Sequence, residues 1–322
     1  MTNPEPTSMR ALCFHSYGEW ADVLRLERVP VSKPGVNQIR VRVHACALNP
    51  MDWVLCLGFM PGTLPRGIGL DVSGTVDAIG EGVTNVGVGD RVFGVPDFMG
   101  YPSAGVAEYA VLAAWQPVPE GLDLLEAAAL PMAVETAVRS LDLLGLSTGQ
   151  TILINGGGTM VGFAAVQMAL MRGAHVIATA GETFASRLRE LGANVTSYGD
   201  GMVERVRGLA GAAPDLVLHT ALAPGVLPDL IKIVDGDPRR VMSISDFDEQ
   251  GLGVRTTGRE PDSVPRYDAL GHFAQLAAEG RFTVPVARTF SMDDWRTALE
   301  LSHTGRAHGK LLILINRAAL MG

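Results

Sequence analysis

The stretch Thr151-Ile-Leu-Ile-Asn155-Gly156-Gly157-Gly158-Thr159-Met160-Val161-Gly162 decides the fold. Its opening is a short apolar run without polar alternation, the pattern of a strand covered on both faces. The glycines that follow permit a tight turn and let backbone N–H groups approach a diphosphate, whose charge the N-terminus of the next helix stabilises. That helix is expected over Val161 to Arg172. The spacing Gly-x-Gly-x-x-x-Gly is one residue longer than the commonest dinucleotide fingerprint, and a plain strand-to-helix turn can carry the same glycines. The surroundings favour the ligand-binding reading. His175 to Ala180 reads as a strand, Ala185 to Leu191 as a helix ending at Gly192, and Asp215 to His219 and Arg240 to Ile244 as further apolar strands. Short apolar strands alternating with helices predict a doubly wound parallel sheet of the α/β class. We assign residues 123–268 to this Rossmann-type cofactor domain.

The flanking sequence has another texture. Residues 10 to 122 are rich in Val, Gly and alternating runs such as Ile39-Arg-Val-Arg-Val-His-Ala45, the pattern of antiparallel strands with one face to the core. After residue 268 come a helix to Glu279, an extended Thr283-Val-Pro-Val286, a helix from Met292 to Ser302 and a last strand from Lys310. That strand is expected to return to the first domain, which then comprises residues 1–122 and 269–322.

A cofactor with a free ribose 2′-hydroxyl normally meets an acid at the end of the second strand. Here that strand ends in Thr179-Ala180-Gly181, with Arg187, Arg189 and Tyr198 following, which favours a 2′-phosphate and hence NADPH over NADH. Glu182, after a small register shift, would instead serve the ribose of NADH.

Composition excludes other classes. The 322 residues carry a net charge of −8 and no cluster of Lys and Arg, against a nucleic-acid surface. Three cysteines, Cys13, Cys46 and Cys56, are too few for a disulfide framework. A leader pattern and a long apolar run are lacking, so a cytoplasmic location is expected.

Several segments resemble the medium-chain dehydrogenase/reductase superfamily, in its zinc-independent quinone oxidoreductase and enoyl reductase branch. They are Ala47-Leu-Asn-Pro-Met-Asp-Trp53, Gly69-Leu-Asp-Val-Ser-Gly74, Gly89-Asp-Arg-Val-Phe-Gly94, Gly105-Val-Ala-Glu-Tyr109, Ala127-Ala-Ala-Leu-Pro131, the glycine loop with Ala165-Val-Gln-Met-Ala169, and His308-Gly-Lys-Leu311. The resemblance implies a GroES-like β-rich catalytic domain plus the Rossmann domain, an active site in the cleft between them, hydride transfer from NADPH, and a homodimer joined through Rossmann sheet edges. Leu252-Gly-Val-Arg-Thr-Thr257 is either the edge strand involved or a plain hairpin. In zinc-dependent relatives a ligating Cys stands where this chain has Asn49, and a His-Glu pair where it has Leu70-Asp71, so no metal is expected. Without a Lewis acid the resemblance points to a quinone or the activated C=C bond of an enone as the small-molecule substrate.

In the catalytic role the resemblance places Asn49, on ribose or substrate carbonyl, and Asp52, as proton relay or local cap. Tyr101 is the phenol available as proton donor. Trp53, Phe59, Met60, Phe98 and Met99 are the expected apolar pocket, with core packing as the alternative. Gly156, Gly157, Gly158, Thr159, Met160, Val161, Gly162, Thr179, Arg187 and Tyr198 are the expected cofactor contacts. Ser245 is expected to hold the carboxamide through its backbone, and Lys310 to lie near the ribose or cap a strand. The alternative function is an NADPH-binding protein with little turnover, in a regulatory or RNA-binding role.

Overall fold

The structure, a computed structural model, describes residues 6–246 and 251–315. It divides the chain into two units, residues 1–132 with 270–322 and residues 133–269. The division lies ten residues beyond the change of sequence texture. Helix Leu124–Ala129 is the reason: its Leu125 and Ala128 pack with Ala45, Ala47 and Leu312 of the first unit.

The first unit opens with β1 (Ser8–Phe14) and β2 (Leu24–Pro30), followed by β3 (Ile39–Ala47), β4 (Arg66–Gly67), β5 (Asp71–Ile79), β6 (Arg91–Pro96) and β7 (Tyr109–Pro117). In the second unit lie β8 (Thr151–Asn155), β9 (His175–Thr179), β10 (Asn194–Thr196), β11 (Leu216–His219), β12 (Val241–Ser243) and β13 (Arg255–Thr256). The first unit resumes with β14 (Val286–Ser291) and β15 (Lys310–Leu314).

In the first unit the strand order is β14-β15-β3-β5-β6-β7, and β3 also pairs with β7, so the sheet curls toward closure. A second small sheet runs β2-β1-β4. The last strand therefore does return to the first unit, and β3 lies between β15 and β5. Alternation in β3 is less strict than its sequence, because Arg40 and His44 are buried as well. Arg40 is compensated by Asp77 at 3.0 Å, and His44 shares a hydrogen bond with Thr75 Oγ1 at 2.8 Å. The expected extension at Thr283 begins later, at Val286. Pro285 lacks an N–H for the ladder, and only its carbonyl is used, by Lys310 N at 2.8 Å.

The second unit is a parallel sheet of order β10-β9-β8-β11-β12-β13. Leu153 of β8 stands opposite Ile177 on one side and Val217 on the other, the fully apolar strand that the sequence predicts. Helix Met160–Met171 follows β8, but the next helix is Glu182–Glu190, starting three residues before the expected Ala185. Helices Met202–Ala210 and Leu227–Ile233 and strand β10 were not expected. The segment around Leu252 narrows to β13, an edge strand parallel to β12, so the hairpin alternative does not hold. Among the described residues no helix is long and apolar enough to cross a membrane.

Candidate active site

In the second unit the glycine loop joins β8 to helix Met160–Met171. Gly156 has φ +98°, and a Cβ there would lie 2.7 Å from Ala221 N. A Cβ on Gly162 would fall on the carbonyl oxygen of Gly156. The cradle is thus available only to glycine at both positions. Thr159 caps the helix, its Oγ1 accepting from Gly162 N at 3.0 Å and donating to Thr220 Oγ1 at 2.9 Å. The N–H groups of Gly158, Met160 and Val161 find no partner among the described residues, while that of Gly157 donates to Thr179 O. Free first-turn N–H groups under a glycine cradle fit a dinucleotide diphosphate.

Thr179 lies beneath the loop. It is buried, its hydroxyl donating to Asn155 Oδ1 at 2.7 Å and accepting from Gly156 N at 3.0 Å, so it holds the loop from beneath. The Asn155 amide then donates to Nδ1 of the buried His219 at 2.9 Å. Burial pushes the His219 pKa down to about 4, so the ring is neutral and carries its proton on Nε2. Ser245 Oγ donates to Ala221 O at 2.6 Å, bringing Ser245 to the chain segment that packs on Gly156.

At the end of β9 the Tyr198 hydroxyl lies 3.8 Å from the place a Gly181 Cβ would take, and its side chain is 66% exposed. Arg187 stacks on Phe163, its guanidinium carbon 5.1 Å from the ring centroid. A residue missing from the sequence reading, Arg205, fastens the turn that carries Tyr198. It donates to Thr196 Oγ1 and Ser197 O at 3.0 Å and to Asp200 O at 2.6 Å. Arg205 reaches that turn from helix Met202–Ala210, which folds back on it.

In the first unit three adjacent strands build a buried polar trio. Asn49 follows β3, Asp71 opens β5 opposite Ala47, and Lys310 opens β15, whose Leu311 carbonyl accepts from Leu48 N at 2.9 Å. Lys310 Nζ donates to Asn49 Oδ1 at 2.6 Å and to Asp71 Oδ2 at 2.7 Å. Asn49 Nδ2 donates to the same Asp71 oxygen at 2.9 Å, and Met132 N donates to Asp71 Oδ1 at 2.8 Å. Asp71 is 0% exposed, Lys310 4% and Asn49 9%, so Asn49 is the outermost of the three. Asp71 entered the sequence reading only as a replaced metal position, and Lys310 as a cofactor contact. Their pairing across 239 residues has no local signature.

Asp52, also buried, does not join the trio. Its carboxylate accepts from Asn49 N and Gly69 N, both at 2.7 Å, clamping the start of helix Pro50–Cys56 to the turn before β5. Gly69 reaches it with φ +99°, in a place where a Cβ would strike Cys46 Sγ. Burial pushes the Asp52 pKa up to about 7, against the two N–H groups that pull it down. Of the two expected roles, proton relay and local cap, the geometry is that of the cap.

Tyr101 is likewise redirected. Its hydroxyl lies 2.6 Å from Gln38 Oε1 and 3.1 Å from Lys33 O, so the phenol staples a turn. The expected pocket residues divide. Trp53 packs against the first unit's core with its ring edge-on to His303 at 4.9 Å. Phe59, Met60 and Met99 are 45%, 37% and 43% exposed. Met60, Phe98 and Met99 gather around buried Arg66, whose guanidinium donates to Met60 O, Phe98 O and Met99 Sδ. Arg66 was not singled out from sequence; its only neighbours there are apolar.

The three cysteines are buried thiols whose pKa burial raises. Among the described residues no three His, Cys, Asp or Glu side chains group as metal ligands.

Comparison with known proteins agrees with this architecture. The GroES-like domain family of alcohol dehydrogenases matches residues 35–120, and the zinc-binding dehydrogenase family matches residues 191–313. A chloroplast envelope quinone oxidoreductase homolog of Arabidopsis thaliana is 35% identical over 66% of this chain and 68% of its own. A 2-methylene-furan-3-one reductase of Solanum lycopersicum is 35% identical over 59% of this chain and 52% of its own. The solved quinone oxidoreductase of Coxiella burnetii superposes with a TM-score of 0.73 at 27% identity, covering 96% of this chain and 100% of its own. The family binds a nicotinamide cofactor. The chain is an oxidoreductase and belongs to the medium-chain dehydrogenase/reductase superfamily, among its quinone oxidoreductases.

Proposed function

We propose that the protein uses NADPH to reduce a quinone or the activated C=C bond of an enone, with no metal ion taking part. The observation that carries this reading is the buried ammonium of Lys310, held between Asn49 and Asp71. Those two residues stand where zinc-dependent relatives place a ligand and its neighbour, and here they surround a side-chain cation. Asp71 neutralises the ammonium, and what the trio offers a developing oxyanion is the Asn49 amide N–H that the ion pair holds in place. The named activities of the Arabidopsis and tomato relatives, on quinones and on a conjugated ketone, support the acceptor class.

When bound, the dihydronicotinamide supplies the hydride. Gly156, Gly157, Gly158 and Gly162 would admit its diphosphate, and the N–H groups of Gly158, Met160 and Val161 would bond it. Thr159 keeps the helix start in place for that contact. Thr179-Ala180-Gly181 puts no carboxylate at the end of β9, and Tyr198 beside Gly181 favours a 2′-phosphate.

The test follows nicotinamide absorbance with NADPH and NADH against naphthoquinones, cyclic enones and enoyl thioesters, using metal-chelated protein. We expect turnover of quinones or enones, with NADPH preferred at least tenfold in kcat/KM. Activity that needs added zinc, or oxidation of simple alcohols only, would overturn the reading.

A further inference from the structure

We propose that Lys310 and Asp71 act as positioning residues that turn the Asn49 side chain into a one-way donor, an oxyanion site for the oxygen of the reduced acceptor. The inference rests on the reading above. An amide side chain ordinarily offers either end, but here chemistry fixes which end is which. An ammonium can only donate, so the atom 2.6 Å from Lys310 Nζ is the amide oxygen. A carboxylate can only accept, so the atom 2.9 Å from Asp71 Oδ2 is the amide nitrogen. One Nδ2 hydrogen is used on Asp71, and the second has no partner among the described residues. Lys310 polarises the amide carbonyl from the other side, making that remaining N–H a stronger donor. Asn49, at 9%, is also the most exposed residue of the trio.

The chemistry needs such a group. Hydride addition forms a C–H bond at the β-carbon of an enone. The alkene pair moves to the adjacent carbon–carbon bond and the carbonyl pair onto oxygen, leaving an enolate. The acceptor is reduced by two electrons, the nicotinamide is oxidised, and a solvent proton later completes the product. The Asn49 N–H stabilises the oxygen while it is negative. A neutral ketone gains less from it, so the contact favours the transition state over the ground state. Asp52, bonded through both oxygens to backbone N–H groups, does not compete for the amide.

The experiment has two readouts. The first needs no turnover: 4-nitrophenol, whose phenolate is visible by absorbance, is titrated against pH with wild type, Asn49→Ala, Lys310→Met and Lys310→Arg. Wild type is expected to bind the phenolate and lower the apparent pKa of the bound phenol. Asn49→Ala and Lys310→Met lose that shift, and Lys310→Arg keeps part of it. The second is steady-state kinetics with an enone, where Asn49→Ala and Lys310→Met lower kcat by about 100-fold. NADPH affinity by fluorescence stays within about twofold, which separates this role from a cofactor contact at Lys310. Thermal unfolding identifies a variant that has lost its fold, and Asn49→Ala, at the edge of the trio, is then the decisive one. A phenolate shift that survives in Asn49→Ala, or absence of phenolate binding by wild type, overturns the inference. A wild type that shows the Asn49-dependent shift but reduces no acceptor supports the oxyanion site and overturns the assigned reaction instead.

Discussion

The glycine loop and the Asn49 trio are both buried and polar, yet they are built on opposite plans. Around the loop, Asn155, Thr159, Thr179, His219 and Thr220 form a network of neutral amides, hydroxyls and an uncharged imidazole. The trio carries a full ion pair, Lys310 with Asp71, that is almost wholly out of water. The difference teaches how each place relates to charge. A cradle for a diphosphate needs shape and unspent N–H groups, because the ligand brings the charge. In the trio each buried charge is instead neutralised by its partner, because desolvating a lone ion costs several kcal/mol.

The sharpest break of the loop is Gly162→Val. Its side chain would occupy the position of the Gly156 carbonyl, and NADPH affinity should fall by more than about 100-fold while far-ultraviolet dichroism stays native. Unchanged affinity would show that the cradle is elsewhere. The corresponding break of the trio is Asp71→Leu, which leaves Lys310 buried without its carboxylate. Denaturant unfolding should show a loss of about 3–5 kcal/mol, much of it recovered in the double variant with Lys310→Met. If the double variant is no better than the single one, the charge is not what the pair contributes.

Asp52 sharpens the contrast by being a buried carboxylate with no ion-pair partner among the described residues. Burial raises its folded-state pKa to about 7, above the usual carboxylate value. The folded state therefore holds the proton more tightly than the unfolded chain, and the stability due to Asp52 declines as pH rises from about 4 to 7. Asp52→Asn removes that slope, so its deficit relative to wild type should be larger at pH 4.5 than at pH 7.5. A deficit that grows with pH would mean that the backbone N–H groups outweigh burial. The smallest effect is expected at Tyr101→Phe, which loses one turn-stapling hydrogen bond worth about 1 kcal/mol and leaves kcat and KM within twofold. A tenfold fall in kcat would restore the phenol as a proton donor.

The loop was legible in the sequence because all that makes it lies in one run: an apolar strand, three glycines, a capping Thr and a helix. Its supports were not. Thr179 was read as a cofactor contact because it ends the right strand, but strand pairing places its hydroxyl against Asn155. The trio was illegible for a related reason. Asn49, Asp71 and Lys310 are each unremarkable where they stand, and only the neighbouring order β15-β3-β5 brings them together. The Tyr101 phenol has the chemistry of a proton donor, but its partner is distant in sequence. Gln38, 63 residues earlier, accepts its hydroxyl.

The place of β15 beside β3 also governs how the molecule is made. Asp71 leaves the ribosome 239 residues before Lys310, and until then β3 lacks the strand that covers one of its edges. A nascent chain must keep a half-open sheet soluble through the synthesis of the whole second unit. The buried trio therefore cannot close until the residues that follow the whole second unit have been made.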